Sequence, residues 1–298
     1  MSPPDAATLA PVRAAILAWY DREHRAFPWR GLRDPYAVLV SEVMLQQTQA
    51  ARVGVAFPRF LARFPSAEAL AAASEAEVLA AWAGMGYNRR ALALRRAATI
   101  VAAKGWPSSV AGLESLPGVG PYTARAVASL AFGEPVGVVD TNVRRWLVRR
   151  FDLSPAARAP DLQALADGLA TAGRDGRTDA WTHASMEFGA AVCATRRPRC
   201  GSCPIAVACP SRGAAEAVPV ARQPAFPGSN RQARGALVRA LTEAAGHAIT
   251  LARARRLVGP DRLPGLAAGL ERDGLVHRSG RFLRLGGPEP GGAATIDP

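Results

Sequence analysis

Glu42 stands where an ionisable side chain is costly. It lies in residues 34–57, DPYAVLVSEVMLQQTQAARVGVAF, which otherwise read as a buried helix with Asp34 as N-cap and Pro35 at the first helical position. On that helix its neighbours three and four residues away are Val38, Leu39, Leu45 and Gln46. Such a mostly apolar surround disfavours the carboxylate form and raises the pKa. A carboxyl still protonated near neutral pH can act as a general acid. A second carboxyl, Asp140, follows the apolar stretch PVGVVD and opens TNVRRWLVRRF, where it is placed to cap a helix whose first turns carry Arg144 and Arg145.

Two further motifs have chemistry of their own. Cys193, Cys200, Cys203 and Cys209 follow a C-x6-C-x2-C-x5-C spacing and are the only cysteines in the chain. Proline and glycine between them (RRPRCGSCP) bend the chain as a ligand loop requires. Four thiolates suit either tetrahedral zinc or a [4Fe-4S] cluster. In LPGVGPYTARAVASLAFG, residues 116–133, Gly118 and Gly120 allow a tight turn before a helix starting near Pro121. A phosphate can dock on the free N–H groups of such a helix start without side-chain charge.

The elements that must position these groups are helical. Periodic apolar spacing runs from about residue 8 to 210, with Ser66 and Ser74 before acidic first turns and only short Gly/Pro breaks. Residues 216–228 read as a linker. Residues 229–286 then offer three helices and a hairpin turning at Ser279-Gly280, the order of a winged helix. Residues 287–298 read as a disordered tail. The 298 residues carry a net charge of +13, nearly all from arginine because Lys104 is the only lysine. That excess points to a polyanion, foremost nucleic acid. No apolar run approaches the roughly 20 residues of a membrane span, and the N-terminus lacks a signal-peptide pattern. A cytoplasmic, nucleoid-associated bacterial monomer is the expectation, with no membrane partner.

The cysteine spacing resembles the cluster loop of the endonuclease III superfamily of DNA glycosylases, and LPGVGPY resembles its helix-hairpin-helix element. VVDTNVRRWLVRRF and the cysteines follow in that superfamily's order. FPWRGLRDPYAVLVSEVMLQQTQ, GMGYNRRA and MEFGAAVC narrow the resemblance, over residues of about 10–215, to the MutY-type adenine DNA glycosylases. The resemblance implies an all-α helix-hairpin-helix fold: an iron–sulfur domain from 1–28 and 134–215, a six-helix domain from 29–133, and the winged-helix-like unit behind them. It implies a [4Fe-4S] cluster on Cys193, Cys200, Cys203 and Cys209, and double-stranded DNA with a mispaired adenine as substrate.

Carried over by position, Glu42 protonates N7 of a flipped-out adenine opposite 8-oxoguanine or guanine, and Asp140 stabilises or traps the cationic sugar. Two carboxyl groups are what cleaving a glycosidic bond through an oxocarbenium-like state requires. Asn142 positions Asp140 or the attacking water, and Tyr122 lies beside both carboxyls. Bifunctional relatives have a lysine where this chain has Tyr122, so hydrolysis without β-lyase chemistry is implied. Gln47 and Tyr87 match positions that wedge into the duplex, and Thr48 matches a contact to the opposite lesion. Trp29 and Arg30 match the adenine pocket wall, Gly118 and Gly120 the phosphate turn, and Arg196, Arg197 and Arg199 phosphate contacts on the cluster loop.

There are departures. His183 stands where the family usually presents Gln or Glu to the base. Thr141 replaces a common glycine. The residues after Ala225 do not resemble the Nudix-like lesion-reading domain of longer members, but rather the short C-terminal region of actinobacterial ones. Two alternatives follow: a glycosylase of altered purine or mismatch scope, and a non-catalytic iron–sulfur DNA-binding regulator.

Overall fold

In a computed structural model, residues 5–173, 175–213 and 225–288 are described, and they are mostly helical. In chain order the helices are α1 (Ala6–Glu23), α2 (Pro35–Leu45), α3 (Ala50–Arg63), α4 (Ala67–Ala72), α5 (Glu75–Ala81), α6 (Arg89–Lys104) and α7 (Val110–Glu114). They continue as α8 (Pro121–Phe132), α9 (Thr141–Arg150), α10 (Ala159–Thr171), α11 (Thr178–Ala191), α12 (Asn230–Glu243), α13 (Leu251–Val258) and α14 (Leu263–Arg272). Three short strands are β1 (Ala248–Thr250), β2 (Val276–Ser279) and β3 (Phe282–Leu285).

Side-chain caps set many helix starts. Ser66 accepts from Ala69 N, and Ser74 forms a reciprocal capping box with Glu77. Asp140 accepts from Val143 N at the start of α9. Such caps contribute about 1 kcal/mol each. Asp34 accepts from Ala37 N at 3.0 Å, as its place before α2 implies. Among the described residues, no helix is long and apolar enough to cross a membrane.

The chain divides into two compact units. The first comprises Met1–Val43 and Trp106–Ala221. Here α1, α9, α10 and α11 surround a core that includes Ile16, Trp19, Trp146, Leu169, Trp181 and Phe188. Trp146 meets Trp181 and Phe188 edge-on, at centroid distances of 6.4 and 5.7 Å. A buried hydrogen bond of 2.6 Å between Ser129 Oγ and Thr182 Oγ1 ties α8 to α11. The start of α9 lies so close to α11 that a Cβ at Gly189 would fall 2.5 Å from Asn142 O.

The second unit comprises Met44–Gly105 and Arg222–Pro298. Phe57, Phe60, Leu70, Trp82 and Leu94 are buried among α3–α6. The C-terminal segment packs against this group: Gly287 N donates to Glu75 Oε2 at 2.7 Å, and Asp273 pairs with Arg89 at 3.7 Å. Its elements run helix, strand, helix, helix, strand, strand, the winged-helix order. The sheet is antiparallel in the order β1-β3-β2. The hairpin closes one residue later than its sequence suggests, with Ser279 opposite Phe282 and Gly280-Arg281 as the turn. β1 has no sequence signature, because three residues cannot display an alternation. Most of the expected linker, 216–224, and most of the expected tail, 289–298, lie outside the described residues.

Candidate active site

α2 brings Glu42 into the interior of the first unit, where its side chain is 2% exposed. Burial raises its pKa from 4.5 to about 7. A hydrogen bond with Tyr122 and the nearby Arg30 cation pull the other way, and Asp140 adds to the rise. Among the described residues, Glu42 Oε2 has no hydrogen-bond partner. The carboxyl is held on one side and, though enclosed, unpartnered on the other.

Tyr122, in the first turn of α8, bridges Glu42 and Met186, with its hydroxyl 3.1 Å from Met186 Sδ. Burial and the two neighbouring carboxyls hold its phenol protonated, well above the usual range. Asp140 caps α9, accepting from Val143 N at 2.6 Å and from Asn142 Nδ2 at 2.7 Å. Asn142 in turn accepts from Arg145, whose guanidinium also donates to Cys193 O at 2.7 Å and Gly189 O at 2.5 Å. A chain of hydrogen bonds thus runs from the first cysteine's carbonyl to the Asp140 carboxylate.

Around these groups α11 contributes two buried polar residues. His183 is driven well below its usual pKa by burial and by Arg30, so the ring is neutral, and its Nδ1 has no partner among the described residues. Glu187, one turn on, was not among the residues singled out from the sequence, although an acid within MEFGAAVC is itself a signal. It accepts from Arg25 Nε at 2.7 Å and Arg25 N at 3.0 Å, and it pairs with Arg30. Arg30 is thereby aimed where it influences Glu42, His183 and Tyr122. Trp29 is buried and stacks on Phe27 at 4.8 Å.

The cysteine loop follows α11. None of its four thiols is in a disulfide, and all four line one cavity with Arg149, Arg199, Ile205 and Trp146. Burial, and the mutual proximity of the thiols, raise Cys203 and Cys209. Arg149 donates to Ala194 O at 2.8 Å and approaches Cys193 Sγ at 3.5 Å. No three His, Cys, Asp or Glu side chains among the described residues converge on a single-ion site. Arg196, Arg197 and Arg199 are exposed on this loop. In the turn between α7 and α8 only Gly118, at φ +79°, uses left-handed backbone. Gly120 is extended with open space where a Cβ would point.

The remaining expected residues belong to the second unit. Gln47 and Tyr87 are both exposed, Tyr87 at 49%, and both sit at positive φ, 54° and 46°. Left-handed backbone costs a non-glycine residue about 1–2 kcal/mol, so the surroundings must enforce it. Arg90 does so, a residue the sequence reading passed over. It donates to Met44 O and Thr48 Oγ1 at 3.2 and 3.1 Å, to Gln46 O, and to Met85 O and Gly86 O at 3.3 and 3.1 Å. One guanidinium therefore staples the Gln47 and Tyr87 loops together, while the Thr48 hydroxyl is spent in that staple.

A helix-hairpin-helix turn, a helix-capping aspartate and a four-cysteine loop in this order define a class, and the comparisons agree. Residues 40–169 match the HhH-GPD superfamily of base excision DNA repair proteins. A solved thermostable thymine-DNA glycosylase superposes with a TM-score of 0.64 at 30% identity, covering 70% of this chain and 99% of that one. An adenine DNA glycosylase of Mycobacterium tuberculosis is 44% identical over 242 residues, 77% of this chain and 78% of that protein. Its counterpart from Mycolicibacterium smegmatis is 40% identical over 95% of this chain and 99% of its own length, a span that takes in the C-terminal segment. The chain belongs to the adenine DNA glycosylase family.

Proposed function

We propose that this protein hydrolyses the N-glycosidic bond of adenine mispaired with 8-oxoguanine or guanine in double-stranded DNA, leaving an abasic site. The observation that carries the reading is Glu42: a carboxyl with pKa about 7, buried and with one oxygen unpartnered among the described residues, beside Asp140 and Tyr122. With adenine flipped out of the stack, Glu42 donates its proton to N7 and makes the base a leaving group. The C1′–N9 bond breaks, and Asp140, kept in place by Val143 N and Asn142, stabilises or traps the oxocarbenium sugar. Water attacks C1′ and passes a proton to the Glu42 carboxylate left by the first step, which restores the acid. No amine takes part: Tyr122 is a neutral phenol, and the only lysine, Lys104, ends α6.

Arg30, Glu187, Trp29 and the neutral His183 form the base-reading side of this site. Gln47 and Tyr87 address the opposite strand, and the strain at both supports a wedging role, while Thr48, its hydroxyl held by Arg90 and Gln46 O, serves that strand by holding the Gln47 loop in place. Gly118, Gly120, Arg196, Arg197 and Arg199 meet phosphates. Functionally we divide the chain into an iron–sulfur domain (1–28 and 134–215), a six-helix domain (29–133) and the winged-helix-like unit (229–286), acting as a cytoplasmic monomer.

Four free thiols that line one cavity provide the donor set that a [4Fe-4S] cluster takes. Cys193, Cys200, Cys203 and Cys209 would hold a [4Fe-4S] cluster. Such a cluster supplies cross-linking of the loop and, where its potential allows, electron exchange. A brown preparation with about four irons per chain supports this assignment; a colourless one with stoichiometric zinc overturns it.

Excision from duplexes carrying A:8-oxoG, A:G, T:G and hypoxanthine:T tests the substrate. Fastest release from A:8-oxoG is expected. Equal or faster release from T:G or hypoxanthine:T would favour the altered-scope reading that His183 motivates.

A further inference from the structure

The C-terminal segment plays no part in the chemistry above, yet it holds much of the charge. Residues 225–288 contain eleven arginines against four acidic residues, a net +7 within a chain of +13. The acids do not neutralise the charge evenly. Asp273 is taken up by Arg234 and Arg89, and Glu271 by Arg278 at 3.1 Å. Both lie at the α14 end.

α13 is different. It buries Ala254 and Val258 and turns Arg253, Arg255 and Arg256 outward. Among the described residues no carboxylate pairs with these three. The wing adjoins them directly, because Leu251 N at the start of α13 donates to Arg281 O in the hairpin turn at 2.8 Å. Arg281 is exposed there, and Arg281 and Arg284 flank the Phe282 ring at 5.5 and 5.6 Å. The arginines of helix and wing thus form one continuous basic face.

We propose that α13 and the β2–β3 wing form a second DNA-binding surface, which grips the phosphates of duplex DNA and does not read bases. Charge complementarity selects the polyanion, since a net excess with no acidic counterpart favours counterion release on a duplex. The absence of base reading follows from α14. That helix occupies the recognition position of a winged helix, yet its exposed residues before Arg272 are Pro264, Gly265 and Ala268, which carry no side-chain donor or acceptor for a base edge, and the partly exposed Glu271 is engaged by Arg278. Just past the wing, Gly287 N donates to Glu75 Oε2 of α5 at 2.7 Å, and Asp273 at the α14 end lies 3.7 Å from Arg89 at the start of α6. The wing and the Tyr87 loop belong to the same compact unit, so DNA on the wing is held by the body that carries Tyr87.

The test is the full-length protein carrying Arg253→Ala, Arg256→Ala and Arg281→Ala together. Its affinity for an undamaged duplex of roughly 30 base pairs is measured across a salt series. Loss of about tenfold at low salt is expected, with the log–log salt slope reduced by about 0.9 per phosphate contact removed. Single-turnover excision at saturating enzyme should be unchanged, and the matching triple Arg→Lys variant should recover the affinity, since a phosphate contact needs charge more than fork geometry. Unchanged affinity and slope would overturn the proposal. So would a loss confined to lesion-bearing duplexes, which would signal base recognition. Binding to undamaged DNA does not involve adenine chemistry, so this result stands or falls apart from the excised base.

Discussion

In the proposed site, Glu42 and Asp140 are two carboxyls held in opposite kinds of position. Glu42 projects from the middle of α2, where the backbone N–H groups are already used within the helix and cannot solvate an anion. Its neighbours are apolar, so the proton stays on to about pH 7. Asp140 stands at the N-terminus of α9, where unsatisfied N–H groups and the helix dipole favour a negative charge. It accepts two hydrogen bonds of 2.6 and 2.7 Å. Placement within a helix, and not residue type, sets the two carboxyls apart: one is desolvated and unpartnered on one oxygen, the other is held by two donors at a helix start.

The largest way to break this contrast is to remove each ionisation separately. Glu42→Gln cannot deliver a proton, and Asp140→Asn cannot stabilise a cation. Each should lower single-turnover base release by about 10²–10⁴-fold, the range for general acid–base groups. Base release that survives both substitutions would dismiss these carboxyls as the catalytic pair. Next in size is pH. The proton on Glu42 is lost above about pH 7, so base release should fall up to tenfold per pH unit beyond it. A rate flat to pH 9 would show that Glu42 is not the donor.

Stability separates the two positions as well. Glu42 has its pKa raised on folding, so the folded state binds the extra proton and loses stability as pH climbs from 4.5 to about 7. The loss amounts to about 3 kcal/mol above that window. Glu42→Gln should therefore stabilise the protein at pH 8 and change little at pH 4, as read by urea denaturation at both pH values. Asp140→Asn should change stability little at either, since asparagine caps a helix about as well. The smallest expected effect belongs to Tyr122→Phe. Its hydroxyl bond lowers the Glu42 pKa, so removing it should move the alkaline limb of the pH–rate profile upward. A limb that moves down would mean that the phenol favours the protonated acid instead.

Several features were legible in the sequence because they are local. Ser74 with Glu77 three residues on specifies a capping box wherever the helix goes. A lone glutamate within AVLVSEVML implies a buried carboxyl. Other features were not local. Arg90 is one of many arginines until the fold brings the carbonyls of Met44, Gln46, Met85 and Gly86 around it. Glu187 shows its purpose only when Arg25 and Arg30, more than 150 residues earlier, close on it. The same holds for the basic face of α13, since no sequence spacing joins Arg253 to Arg281.

The sequence by itself determined the helical class, the four-cysteine spacing, and that Glu42 lies in an apolar helix while Asp140 caps one, because periodicity, spacing and capping act over a few residues. Tertiary structure decided their states. It set how firmly Glu42 keeps its proton, which arginine is an internal staple and which lies open to solvent. Desolvation and ion pairing depend on neighbours that only the folded chain supplies.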